Sequence, residues 1–131
     1  MVRPRPAPPV ALEREHAGIL RDLGSRLSQD GRTELAIGLL VRSLELEPLE
    51  GPVRFLGRIL LAQGRLDETI HQYQRVLERR PDSGLLHAEL ASFLIQNGSY
   101  QEAWREVDTA ESPGGSVPAK DLETLRRALP R

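Results

Sequence analysis

Residues 56–81 decide the fold because their Leu-Gly pair and their proline recur at a fixed spacing along the chain. Their sequence is LGRILLAQGRLDETIHQYQRVLERRP. The Leu-Gly pair that opens the stretch and the proline that closes it also occur 33 residues earlier, at Leu23-Gly24 and Pro48. A third copy begins at Leu90-Ala91. A fixed period of this size is typical of small supersecondary units that stack and bury their apolar faces against one another.

Apolar residues recur at helical spacing on both sides of three glycine turns, at Gly31, Gly64 and Gly98, and this spacing predicts helical hairpins. In the first helix we expect the stripe formed by Leu12, Ile19, Leu20, Leu23 and Leu27 to face the core. In total the chain is predicted to have seven helices and no strands. The second predicted helix is marked by Leu35, Ala36, Leu39, Leu40 and Leu44 and ends before Pro48. The other predicted helices are about 10–29, 51–63, 66–80, 83–96, 100–111 and 118–129.

The domain organisation follows from these helices. Residues 1–9 are rich in proline, which favours an extended conformation, so we expect them to form a tail. Residues 10–131 then form one domain with three repeats, at about 17–49, 50–82 and 84–115. The third copy has its proline two residues early, at Pro113, and a lone helix at about 118–129 is predicted to cap it.

The composition excludes several classes of partner and site. Eighteen basic and nineteen acidic residues give a net charge of −1, so no global field attracts nucleic acid or an anionic membrane. The chain has no cysteine, which excludes disulfides and thiolate chemistry. Neither a signal peptide nor a run of about 18 apolar residues is visible, and we therefore expect a cytoplasmic protein that does not insert into a membrane.

The repeat resembles the tetratricopeptide repeat family, whose unit is a 34-residue helical hairpin with the pattern W-x2-L-G-x2-Y, A-x3-F and P. The middle copy matches best, with Leu56-Gly57, Leu60, Gly64, Thr69, Tyr73 and Pro81. The resemblance implies an all-α fold, a right-handed α-α superhelix of three hairpins with a capping helix. In this arrangement the small residues Gly24, Gly57 and Ala91 would face Ala36, Thr69 and Ala103 and let each pair of helices approach closely.

The resemblance also implies a groove, lined by the first helices of the hairpins, that binds an extended peptide or a helix of another protein. The family's groove positions correspond here to Arg21, Ser25, Arg54, Phe55, Arg58, Leu61, Glu89, Ser92 and Ile95. Arg54 and Arg58 lie four residues apart and could hold a carboxylate of the partner, while Phe55, Leu61 and Ile95 could contact its apolar side chains. The alternative is an ion pair between Arg58 and Glu89 with no ligand.

One subclass of the family is excluded by residue type. Its members bind the terminal carboxylate of chaperone tails with lysine, asparagine and arginine side chains. At those positions this chain has Arg21 and Ser25, then Phe55, then Leu85 and Glu89. Glu89 would repel a carboxylate, so a chaperone-tail clamp is not expected.

No residue pattern indicates catalysis, a metal site or a cofactor site. His16, His71 and His87 are separated along the chain and lack the H-E-x-x-H spacing. We expect His16 to be partly buried on the first helix, His71 and His87 to lie at the surface or groove, and Trp104 to fill the core beneath Leu122 and Leu125. The predicted function is therefore a non-enzymatic adaptor or accessory subunit of a multiprotein assembly. The alternative is a secretion-type chaperone that holds an apolar segment of its client against Phe55, Leu61 and Ile95.

Overall fold

The computed structural model of this protein describes residues 10–111 and 115–131, and it contains seven α-helices and no strand within those ranges. The helices are α1 (Val10–Gln29), α2 (Thr33–Leu46), α3 (Glu50–Ala62), α4 (Leu66–Arg79), α5 (Gly84–Gln96), α6 (Tyr100–Ala110) and α7 (Ala119–Ala128). These bounds agree closely with the predicted helices. The predicted proline-rich tail and the early Pro113 lie outside the described residues.

Each hairpin turns at a glycine whose backbone is left-handed. Gly31, Gly64 and Gly98 have φ of 79°, 71° and 79°, a region that side chains with a Cβ rarely enter. The residue after each glycine donates its amide back to a carbonyl near the end of the preceding helix; for example, the Arg65 amide lies 2.9 Å from the Leu60 oxygen. The turns therefore reverse the chain in few residues and place consecutive helices side by side.

The two helices of each hairpin approach closely at the small residues that the repeat predicted. A Cβ added to Gly24 would lie 3.0 Å from Cγ of Leu40, and one added to Gly57 would lie 3.1 Å from Cε1 of Tyr73. In the third hairpin the corresponding Ala91 and Ala103 are completely buried. Larger residues at these positions would push the helices apart.

The hairpins stack in chain order. Helix α2 packs on α3, α4 packs on α5, and α7 contacts both α5 and α6, so one apolar core runs from the first hairpin to the last helix. Trp104 is buried in this core with Leu125, and its indole Nε1 donates to the Leu129 carbonyl at 2.8 Å. The predicted core role of Trp104 beneath α7 is thus confirmed.

The predicted core face of α1 is only partly right, because Leu20 and Leu27 are partly buried but the other three members of the stripe are not. Leu12, Ile19 and Leu23 are exposed, and His16, expected to be partly buried, is exposed as well. Helix α1 packs through the side on which Ala17 and Gly24 are buried, next to Leu20 and Leu27, and the Ala17 carbonyl accepts a 2.7 Å hydrogen bond from the Ser43 hydroxyl. The exposed part of the stripe, formed by Leu12, Ile19 and Leu23, lies on the outer side of the first hairpin, where no described element covers it. Within the described ranges, no helix has both the length and the apolar character that crossing a bilayer requires.

Candidate partner-binding groove

The predicted groove residues lie on α1, α3 and α5, the first helices of the three hairpins. Arg58 is exposed, and the following predicted groove residues are partly exposed: Arg21, Ser25, Arg54, Phe55, Leu61, Glu89 and Ser92. Ile95 is only 6% exposed and belongs to the core, so its prediction as a groove residue is wrong. Its burial leaves the apolar trio of the chaperone alternative without one of its three members.

The centre of this surface is a cluster of Arg54, Glu89 and Tyr73 that joins α3, α5 and α4. Nε of Arg54 lies 2.6 Å from Oε1 of Glu89. Neither atom makes a well-directed hydrogen bond with any described group, so the contact is an ion pair whose N–H does not point at the oxygen. The hydroxyl of Tyr73 donates to the other carboxylate oxygen, Oε2 of Glu89, at 2.6 Å. Two neighbouring helices thus hold the Glu89 carboxylate in one orientation.

Tyr73 supports this cluster from below. Its ring is 1% exposed and meets the Phe93 ring edge to face, with 5.0 Å between the ring centroids. Burial raises the pKa of Tyr73 well above its ordinary value, and the hydrogen bond to Glu89 raises it further. Tyr73 therefore stays a neutral hydrogen-bond donor. The repeat pattern predicted a buried ring here, but not the role of its hydroxyl, although a buried tyrosine normally needs a partner for that group.

Arg58 is the basic side chain that this cluster leaves open. It is exposed, and it forms no ion pair with any residue in the described ranges. Its positive charge still opposes, as a minor effect, the rise in the pKa of Tyr73, which places it near the cluster. The alternative of an Arg58–Glu89 pair is wrong because Arg54 takes that carboxylate.

The two ends of the predicted groove are engaged within the protein. The Ser25 hydroxyl donates to the Arg21 carbonyl of its own helix at 3.0 Å. At the other end, the Ser92 hydroxyl donates to Oδ2 of Asp121 in α7 at 2.6 Å. Arg58, in the middle of this surface, is the predicted groove residue in the exposed class, and the partly buried Phe55 and Leu61 lie on the same helix.

A shallow depression adjoins the cluster on the α7 side. Its lining is formed by α5 and by the segment that leads to α7, and it comprises Leu85, Ala88, Glu89, Ser92, Phe93, Ser116 and Pro118. Sequence reasoning did not find Phe93, Ser116 and Pro118, because Phe93 falls outside the family's groove positions and the others lie beyond the last repeat. The depression gives Glu89 a mainly apolar surrounding on this side.

His87 was predicted to lie at the surface or groove, and that prediction is wrong. The side chain is buried, with Nε2 2.7 Å from the Pro81 carbonyl oxygen and Nδ1 2.5 Å from Oε2 of Glu106. It ties the start of α5 to α6 and is structural. Across the described parts of the chain, no group of histidine, aspartate and glutamate side chains is close enough to hold a metal ion.

Comparisons with known proteins agree with this architecture. Residues 60–113 match the sequence profile of the family described as Tetratricopeptide repeat. Among curated proteins, none matches the chain in sequence. The crystal structure of yeast Tom70 is similar over 89% of this chain, with a TM-score of 0.68 and 21% identity, and this chain spans 24% of the Tom70 chain.

A second solved structure, the MamA R50E mutant, is similar over 78% of this chain and 80% of its own. Its TM-score is 0.55 and its identity 26%. Together with the helix order, these likenesses confirm the predicted all-α solenoid of stacked hairpins.

Proposed function

We propose that this protein is a non-enzymatic interaction module that binds another protein, because residues 60–113 match the tetratricopeptide repeat family and the described chain has the corresponding fold. It would act as an adaptor or accessory subunit in a multiprotein assembly. The partner would present a peptide or helix to the surface formed by α3 and α5. The proposed function requires no cofactor.

The observation that carries the proposal is the open Arg58 beside the fixed Arg54–Glu89–Tyr73 cluster. An exposed arginine next to a neutralised ion pair offers a guanidinium that a partner's carboxylate can approach without breaking an existing pair. Phe55 and Leu61, partly buried on the same helix, offer apolar contact beside it. The surface therefore suits a segment with one acidic and one or two apolar side chains.

The ion pair decides which substitution tests the groove. Arg54→Glu would place a second carboxylate beside Glu89 and disturb the fold. Arg58→Glu instead reverses an exposed charge that forms no ion pair within residues 10–111 and 115–131. We expect Arg58→Glu to leave the helical circular-dichroism signal unchanged and to reduce capture of the partner from cell extract about fivefold or more, as measured by quantitative mass spectrometry.

Arg105→Glu is the matched control, because Arg105 is an exposed arginine on α6, a second helix of a hairpin. It should leave capture unchanged. If Arg58→Glu and Arg105→Glu captured the same proteins in the same amounts, the partner would bind elsewhere, and the groove proposal would be abandoned.

A further inference from the structure

The outer face of the first hairpin is apolar and uncovered. Of the five large hydrophobic side chains that are exposed in the described chain, four belong to this hairpin: Leu12, Ile19, Leu23 and Leu35. Between α1 and α2 the same face has a groove lined by Glu13, His16, Ile19, Leu20, Arg42 and Leu46. We call this surface the end face. It lies outside the groove discussed above, which is formed by α3 and α5.

In the second and third hairpins the corresponding face is buried. Leu23 is 46% exposed, but Leu56 and Leu90, its counterparts in the second and third hairpins, are 0% and 1% exposed. These two leucines are on α3 and α5, against which α2 and α4 of the preceding hairpins pack. The end face therefore corresponds to the surface of the second and third hairpins on which a helix of the preceding hairpin packs. In the described chain no helix packs on the end face.

The end face is also more apolar than the repeat requires. Leu35 is 52% exposed, and its counterparts at the same position of α4 and α6 are the exposed Glu68 and Glu102. At the opposite end of the solenoid, α7 covers the last hairpin and turns polar side chains such as Glu123 and Arg127 outward. Because solenoids need polar ends to stay soluble, the apolar end face is the one that a partner is expected to cover.

Charges at the inner junction show which kind of helix fits. Where α2 meets the second hairpin, Nη1 of Arg65 lies 2.7 Å from Oε1 of Glu34, and Nη1 of Arg75 lies 3.7 Å from Oε1 of Glu45. Glu34 and Glu45 are 11 residues apart, about three helical turns, so they lie on the same side of α2. Two arginines of the second hairpin thus form ion pairs with two acidic residues near the two ends of α2.

The first hairpin repeats both arginines. Arg32 and Arg42 occupy the positions of Arg65 and Arg75, displaced by 33 residues. Arg42 is 62% exposed and pairs only with Glu45 of its own helix, and Arg32 is exposed with no ion pair to any residue in the described ranges. The third hairpin has Ser99 and Thr109 at these positions. The arginine pair is therefore a property of the first two hairpins and not of the repeat in general.

We propose that the end face binds an amphipathic helix of another protein, packed as α2 packs on the second hairpin. The helix carries an apolar stripe flanked by two acidic residues 11 positions apart, which pair with Arg32 and Arg42. A second copy of this chain fits poorly, because its own Glu34 and Glu45 are already paired and the outward side of its α7 is polar. The proposal does not depend on the groove around Arg58.

A synthetic peptide with the sequence of residues 32–47, labelled with fluorescein, is the probe, because it contains both Glu34 and Glu45 and the stripe of α2. We expect its fluorescence anisotropy to rise saturably with the full chain. Ile19→Asp should weaken binding about tenfold or more, since it places a charge under the apolar stripe. Leu129→Asp, the same kind of change at an exposed leucine of the opposite end, should leave binding unchanged.

The charge pairs are tested by reversal. Arg32→Glu with Arg42→Glu should weaken binding about three- to tenfold, and a peptide with Glu34→Lys and Glu45→Lys should recover it on that variant. The proposal is overturned if the peptide does not bind saturably, or if Ile19→Asp binds it as well as the unchanged chain. It is also overturned if light scattering shows a dimer that Ile19→Asp dissociates, since a second copy would then cover the face. Arg58→Glu should not affect this peptide, so the two proposals can fail separately.

Discussion

Leu23 and Leu56 are the same residue type at the same position of successive hairpins, and only one of them is buried. Truncating a buried leucine costs its transfer free energy and leaves a cavity, whereas an exposed leucine loses little on truncation. We expect Leu56→Ala to lower the free energy of unfolding by about 2 to 5 kcal/mol and Leu23→Ala by about 1 kcal/mol or less. Urea denaturation monitored by circular dichroism measures both. Equal losses would mean that Leu23 is covered in solution.

We expect Tyr73 to make the free energy of unfolding fall at alkaline pH. Because burial raises the pKa of Tyr73 in the folded state above its ordinary value of about 10, folding favours the neutral phenol. This contribution is fully present below pH 10 and is lost as the pH rises above 10, where the unfolded chain releases the proton and the folded chain keeps it. The free energy of unfolding should therefore fall by about 1.4 kcal/mol per pH unit above pH 10 from this group alone.

The matched variant for this prediction is Tyr73→Phe, which keeps the ring and removes the hydroxyl. At pH 8 it should lose about 0.5 to 1.5 kcal/mol, because Oε2 of Glu89 loses its donor. Between pH 9 and pH 11 its unfolding free energy should decline less steeply than that of the unchanged chain. Parallel declines for the two proteins would show that the Tyr73 phenol does not couple to folding.

At the scale of elements, helical periodicity predicted where each helix lies, because turns and prolines bound every segment. In α4 and α6 the buried residues lie on one side of the helix and charged residues occupy the other side, so apolar spacing and burial agree there. In α1 the same periodicity marked a stripe of five residues as the core, of which Leu20 and Leu27 are partly buried and Leu12, Ile19 and Leu23 are exposed. A stripe records that a face is apolar, and the neighbouring elements decide whether anything covers it.

Helix α5 shows the opposite case. It contacts α4, α6 and α7, and eight of its thirteen residues are buried, among them His87 and Ile95. Because α5 has helices on several sides, less of its surface is exposed than that of α3. A position that is partly exposed on α3, such as Leu61, is therefore buried on α5, at Ile95. The family pattern could not reveal this difference, because it depends on how α4, α6 and α7 together surround α5. The Arg54–Glu89 pair likewise depends on side-chain geometry between two hairpins, which the sequence does not encode by spacing.

For the whole molecule, the stack makes stability a sum of hairpin and junction contributions. The second hairpin has a neighbour on each side, and the third has the second hairpin and α7. The first hairpin has one described neighbour and an exposed end face. Its two helices hold each other through contacts such as the Ser43–Ala17 hydrogen bond, but a smaller part of its surface is covered. Local opening should therefore begin at this end.

Hydrogen exchange measured by mass spectrometry tests this order of opening. Amides of α1 and α2 should exchange about tenfold faster or more than those of α3 to α6, because their opening breaks one junction instead of two. Leu56→Ala, which weakens that junction from the side of α3, should accelerate exchange in α1 and α2 further, while Leu35→Ala, on the end face, should not. Uniform protection across all six helices would show that the stack opens as one cooperative unit. The first hairpin would then have the same free energy of opening as the other two.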